Sequence, residues 1–163
     1  MKPSILVVND DGVYGAGLRP LITALRSLGR VTVVVPDQER SADSHCLTLH
    51  KPIRVREVSR DFYILNGSPA DCARFGVLET LKDRADLVVS GINHGYNLGE
   101  DVVYSGTVAG AMEGTLLEIP SIAVSQGPGR GEDYRAAARF TARLSRRVLS
   151  HGLPDGVCLN VNV

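Results

Sequence analysis

Asp10 and Asp11 stand side by side directly after the apolar run Ser4 to Val8, with Asn9 before them and Gly12 after. Two carboxylates this close repel each other unless a cation or a proton lies between them, so the pair is a candidate for holding a metal ion. In a continuing strand the two side chains would point to opposite faces; if the chain turns at Gly12, both can approach one ion. Asn, Asp and Gly are also the favoured residues of a solvated turn, so the pair alone leaves both readings open. Further polar candidates are Ser41, Asn66, Ser68, Asn93 and Asn97. Two Asp with Ser and Asn make an oxygen-only set, which suits a hard cation such as Mg²⁺ or Mn²⁺ far better than zinc, a metal that wants His or Cys. His94, beside Asn93, reads as a surface or supporting residue and stays outside the ligand set.

A second kind of chemistry is suggested by Tyr104-Ser105-Gly106-Thr107-Val108-Ala109-Gly110, which enters a helix through small residues and hydroxyls. Backbone N–H groups, the positive end of a helix dipole and Ser/Thr oxygens are the parts of a phosphate cradle, although an ordinary Ser or Thr cap uses the same residues. A metal site across the same crevice would favour the phosphate reading. Ser68 needs no such role, because Pro69 and Asp71 complete a helix cap around it. Arg143, Arg146 and Arg147 share one helix face and read as a solvated surface.

The elements that must bring these residues together alternate strand with helix, the pattern of a parallel sheet with crossover helices. Strands are expected at Ser4 to Val8, at Val31 to Val35 (stopped by Pro36), at Asp86 to Ser90, at Pro120 to Ser125 and at Val157 to Val163. Pro52 to Val58 and Asp61 to Asn66 alternate apolar and polar residues and predict a less buried hairpin or edge pair. Helices are expected from Leu18 to Leu28, from Ser68 to about Leu81, from Thr107 to Glu118 and from Asp133 to Ser150, with a long functional connection from Gly91 to about Ser105. Ligands of open parallel sheets bind beyond the carboxyl ends of the strands, where Asn9 to Asp11, Ser41, Asn66, Ser68, Asn93 and Asn97 would all gather.

Composition bounds the rest. A chain of 163 residues predicts one domain spanning 1–163, and 18 Lys+Arg against 18 Asp+Glu gives no global field for a nucleic-acid polymer or an anionic membrane. No apolar run reaches the roughly 18 residues of a membrane span, so a cytoplasmic protein is expected. Cys46, Cys72 and Cys158 are odd in number and widely spaced, and read as reduced, mostly buried thiols. A dinucleotide fold fits poorly: Gly12, Gly15 and Gly17 reverse the usual glycine order, and Asp10 and Asp11 would repel a pyrophosphate. A phosphoryl-accepting receiver would need an Asp after a later strand and a Lys after the last, where this chain has Ser-Gly-Ile-Asn and Ser-Gln-Gly.

Four blocks together carry a specific likeness: Ile5 to Gly12 (ILVVNDDG), Val35 to Ser41 (VPDQERS), Ser90 to Gly99 (SGINHGYNLG) and Asp101 to Val108 (DVVYSGTV). In that order they resemble the SurE family of survival-protein 5′-nucleotidases, and Gly67 to Cys72 (GSPADC) is similar to the family's Gly-Thr-Pro-Ala-Asp-Cys with Ser for Thr. The resemblance implies a Rossmann-like three-layer α/β fold with a mostly parallel sheet, and a metal-dependent phosphomonoesterase that releases phosphate from nucleoside monophosphates. It implies one divalent cation per subunit, Mg²⁺ or Mn²⁺, held by Asp10, Asp11, Ser41 and Asn93, with Asp10 and Asp11 catalytic. Phosphate contacts would fall on Asn97, Ser105, Gly106 and Thr107. Family members continue past the Leu159 to Val163 strand into a segment exchanged between subunits, so a truncated core is expected here. Homodimers or tetramers are what the family implies. The rival readings are an inactive nucleotide-binding core, a nicotinamide-dependent oxidoreductase and a phospho-receiver.

Overall fold

The computed structural model describes residues 2–82, 84–128 and 133–163. Its centre is a seven-stranded sheet in the order β3-β4-β2-β1-β5-β6-β7, parallel except where β3 pairs antiparallel with β4. Strand β1 (Ser4–Val8) leads into helix α1 (Leu18–Leu25) and back to β2 (Arg30–Pro36). Strands β3 (Val55–Ser59) and β4 (Phe62–Leu65) form the expected edge pair, and β3 is exposed at every residue.

Helix α2 (Pro69–Phe75) opens with the predicted capping box, in which Asp71 N donates to Ser68 Oγ and Ser68 N donates to Asp71 Oδ2. It runs on through a π-helical stretch, Gly76–Thr80. The remaining elements are β5 (Leu87–His94), the short helix α3 (Asp101–Tyr104), α4 (Gly106–Leu116), β6 (Ser121–Gln126), α5 (Arg135–His151) and β7 (Cys158–Asn162).

Alternation along β1 shows how the sheet is sandwiched. Ile5 and Val7 join the core beneath α1 and α5, together with Leu21, Leu25, Ala137 and Val148, while Leu6 and Val8 join Cys72, Ala73 and Val77 beneath α2. These four of the five β1 residues are fully buried, as a central parallel strand covered on both faces requires. This three-layer arrangement bears out the fold expected from the sequence.

Three expectations are corrected. Strand β5 does not stop at Ser90 but continues to His94, with a break in its register against β6 between Ser90 and Asn93. Gly91 and Asn93 look like loop residues by type; Gly91 falls in that break, but Asn93 pairs with Ser125 of the parallel neighbour β6, so it sits at a strand end and not in a long loop. Pro36 is the last residue of β2 instead of its stop: Leu65 is its register partner, and its carbonyl accepts from Val13 N, a role that needs no proline N–H. Of the three free cysteines only Cys72 is buried; Cys46 is exposed, because it lies in the irregular segment after β2 and not under a helix.

Candidate active site

From β1 the chain moves outward in one direction to β2 and β4, and then returns to the other side of β1 as β5. The junction of β1 and β5 is therefore the topological switch point of the sheet, where loops diverge and leave a crevice at the carboxyl edge. Asn9, Asp10 and Asp11 follow β1 directly, and Asn93 and His94 end β5. Gly12 turns the chain with φ +74°, and a Cβ there would come within 2.8 Å of the Gln38 backbone. That turn ends the strand before both aspartates and allows both to face the crevice.

The crevice, about 410 Å³, is lined by Asp10, Asp11, Glu39, Ser41, Ala42, Asn93, His94, Tyr96, Asn97, Asp101, Tyr104 and Ser105. Six of the eight site residues expected from the sequence line it; Gly106 and Thr107 do not. Among the described residues four carboxylates and no lysine or arginine line it. A second crevice of about 520 Å³ adjoins it, sharing Asp11, Glu39 and His94 and reaching Tyr14 and Tyr134.

Asp10 is buried, and burial raises its pKa above the ordinary value of 3.8, against the pull of hydrogen bonds from the Thr107 hydroxyl and backbone. Burial, followed by the negative charges of Asp10 and Glu39, pushes Asp11 up to about 6. Both shifts report carboxylates short of positive charge. Ser41 Oγ donates to Glu39 Oε1 at 2.6 Å, and Asn93 Nδ2 donates to Gly95 O at 3.0 Å. Asn9 gives Nδ2 to Gly12 O, and its Oδ1 is buried without a hydrogen-bond partner. The donors that converge are thus two carboxylates, a hydroxyl and an amide oxygen, chemistry that fits a hard cation. Among the described residues no three His, Cys, Asp or Glu side chains form a group that could hold a metal ion.

The residues read as a phosphate cradle divide in two. Ser105 caps α4, its Oγ accepting from Val108 N at 3.1 Å, and it also faces the crevice. Asn97 is buried and firmly held: Nδ2 donates to Ser125 Oγ at 2.8 Å, its N donates to Asn162 Oδ1 at 2.9 Å, and its carbonyl accepts from Asn160 Nδ2 at 2.9 Å. Thr107, by contrast, is fully buried and its hydroxyl donates to Asp10 Oδ1. Gly106 packs so tightly on the same aspartate that an added Cβ would lie 2.8 Å from Asp10 Cβ. The first turn of α4 is therefore occupied by Asp10, and the open cradle expected there is a seat for a carboxylate.

Glu39 and Asp101 belong to the crevice although neither was singled out among the candidate ligands. Both lie inside the sequence blocks that carry the family likeness, which is the signal that could have drawn attention to them. His94, placed outside the ligand set, forms part of the wall, with Nδ1 2.8 Å from the Tyr134 hydroxyl.

A doubly wound α/β sheet carrying an oxygen-rich, carboxylate-lined site at its switch point defines the class of protein. Comparison with known proteins narrows it: the family model described as Survival protein SurE matches residues 5–163, and the chain belongs to that family. It is 53% identical over 161 residues to the 5′-nucleotidase SurE of Geobacter sulfurreducens, covering 98% of this chain and 62% of that protein. It is 54% identical to the 5′-nucleotidase SurE of Pelobacter propionicus, covering 98% of this chain and 65% of the relative. The crystal structure of the SurE protein from Aquifex aeolicus superposes with a TM-score of 0.94 at 46% identity, over 99% of this chain and 66% of the other. The chain thus spans a little under two thirds of the length of these relatives.

Proposed function

We propose that this chain is the catalytic core of a metal-dependent phosphomonoesterase that hydrolyses nucleoside monophosphates to nucleoside and phosphate. The observation that carries the reading is the charge of the crevice: among the described residues four carboxylates and no lysine or arginine line it. A phosphate dianion would be repelled from such a site unless a cation came between. Family membership and likeness to proteins named 5′-nucleotidase SurE support the same reaction.

In this reading Asp10, Asp11, Ser41 and Asn93 hold one divalent ion, Mg²⁺ or Mn²⁺. Bound there, the ion supplies positive charge and Lewis acidity toward a phosphoryl group. Asp10 is oriented by Thr107 and Gly106, so that its carboxylate keeps one direction. Asn97 and Ser105 offer polar groups to the phosphate, Asn97 from a side chain already fixed by Ser125. The adjoining crevice reaching Tyr14 has room for the organic part of a substrate.

Function in the cytoplasm is part of the proposal, supported by three free thiols and by the lack, among the described residues, of any helix long and apolar enough to cross a membrane. Assembly as a homodimer or tetramer is drawn from the family likeness and is checked by light scattering.

The deciding experiment is phosphate release from a panel of nucleoside monophosphates by the 163-residue chain, with EDTA, Mg²⁺ and Mn²⁺ arms. Release that depends on metal supports the reading. Equal release in EDTA, or nucleotide binding without any release, refutes it.

A further inference from the structure

Between β2 and β3 the chain carries no regular secondary structure, yet Ser41, a proposed metal ligand, stands in that stretch. What fixes it is a series of contacts reaching back to three parts of the fold. Arg40 N donates to Asp10 O at 2.7 Å. Ser44 N donates to Tyr104 O at 3.1 Å, and its hydroxyl donates to Val103 O at 2.8 Å. Cys46 O accepts from Ser68 Oγ at 2.5 Å, and Thr48 donates to Asp71 from N at 3.0 Å and from Oγ1 at 2.7 Å.

One contact differs in kind from these. His45 Nε2 lies 2.8 Å from Oε2 of Glu113, a carboxylate in the middle of α4 that is only 2% exposed. The other oxygen of Glu113 accepts from Arg74 Nη1 of α2 at 2.9 Å. A buried carboxylate is tolerated only while its oxygens are matched, so losing either partner is strongly opposed. The same helix seats Asp10 through Gly106 and Thr107 at its start, and Glu113 lies six residues beyond Thr107, roughly 9 Å along the axis.

We propose that Glu113, clamped by Arg74 and facing His45, is a positioning residue that sets the Ser41 segment relative to Asp10. Helix α4 thereby acts as a single ruler: one end fixes a carboxylate donor, and the middle fixes the strap that carries the hydroxyl donor. The inference rests on the reading of Ser41 as a ligand.

The test is Mn²⁺ titration of the substrate-free chain by calorimetry, combined with amide hydrogen exchange over residues 40–48. His45→Ala removes the reach to Glu113 from a half-buried side chain. It is expected to weaken Mn²⁺ binding about tenfold, as loss of a supporting contact around a metal ligand does, to speed exchange over 40–48 more than over the central strands, and to lower the melting temperature because one Glu113 oxygen is left unmatched. His45→Gln, which keeps a donor directed at Glu113, is expected to recover most of each. Glu113→Gln, which keeps the acceptor for Arg74 and the side-chain volume, is expected to fall between wild type and His45→Ala. A folded His45→Ala chain with wild-type Mn²⁺ affinity and unchanged exchange overturns the proposal. Failure of the wild-type chain to take up Mn²⁺ would instead overturn the metal reading, and the exchange rates would still decide whether the clamp orders the strap.

Discussion

The crevice at the β1–β5 junction and the outer face of α5 each carry charge of one sign. Asp10, Asp11, Glu39 and Asp101 line the first; Arg135, Arg139, Arg143, Arg146 and Arg147 stud the second, in a helix that holds no acid. The two differ in burial. On α5 the arginines are exposed while Ala137, Ala138, Thr141, Ser145 and Val148 turn inward, so each guanidinium keeps its water. Arg135 pairs with the exposed Asp133, and Arg143 lies over the Phe140 ring at 5.6 Å, contacts of surface strength. In the crevice, Asp10 and Asp11 have given up water, and the Thr107 contacts to Asp10 and the His94 contacts to Asp11 offset that loss only in part. A like-charge cluster points to chemistry when burial makes it costly, and the zero net charge of the chain conceals both regions equally.

The sharpest way to break this contrast is to neutralise a buried member. Asp11→Asn is expected to leave the fold intact and to lower metal-dependent phosphate release by roughly 10²–10³-fold or more, the scale of losing a main electrostatic element; undiminished turnover by a folded variant would remove Asp11 from the site. A smaller effect is expected from Thr107→Val. Without the hydroxyl, one influence holding down the Asp10 pKa disappears, so protons compete better with the metal. Mn²⁺ affinity should drop several-fold at pH 6 and less at pH 8, read by calorimetry at the two pH values.

Next in size is a change in stability. The folded pKa of Asp11, about 6, lies above its ordinary value of 3.8. The folded state therefore holds that proton more tightly than the unfolded chain, so the contribution is fully present below about pH 3.8 and is lost as pH rises through about 6. In the absence of metal, the melting temperature of wild type relative to Asp11→Asn should fall across that window, and saturating Mn²⁺ should reverse the fall. A constant difference between the two proteins from pH 4 to 7 contradicts this. The smallest effect belongs to the other region: Arg146→Ala should change stability by no more than about 0.5 kcal/mol and leave phosphate release untouched. A large loss there would mean that α5 takes part in function and would dissolve the contrast.

Local signals were the readable ones. The buried strand before Asp10, the turn at Gly12 and the capping box at Ser68 and Asp71 are each set by residues within a few positions, and the structure has all three. The reading of β5 stops at Ser90 because Gly91, Asn93 and His94 are poor strand formers by type, and what keeps Asn93 and His94 in the sheet is pairing with β6, over thirty residues later. The contact of Thr107 with Asp10 is hidden from the sequence for a related reason. Hydroxyls at a helix start look alike in sequence whether they face a ligand or a buried aspartate, and its partner, Asp10, is 97 residues away. His45 and Glu113, 68 residues apart, give no sign of each other in the chain. Side chains that orient the donors from behind are thus harder to read than the donors themselves.

The outermost strand has a consequence of a different kind. All five residues of β3 are exposed, and among the described residues β4 alone neighbours it in the sheet, so its other side presents backbone donors and acceptors to any other chain that arrives extended. Val55 and Val58 alone would make it an attractive template for edge-to-edge stacking in a crowded solution. Arg56 and Glu57 stand between those two valines on the same short strand, and an incoming copy in register would have to bring charge against charge to add itself. Resistance to aggregation at this edge therefore rests on two side chains that take no part in the core or the crevice.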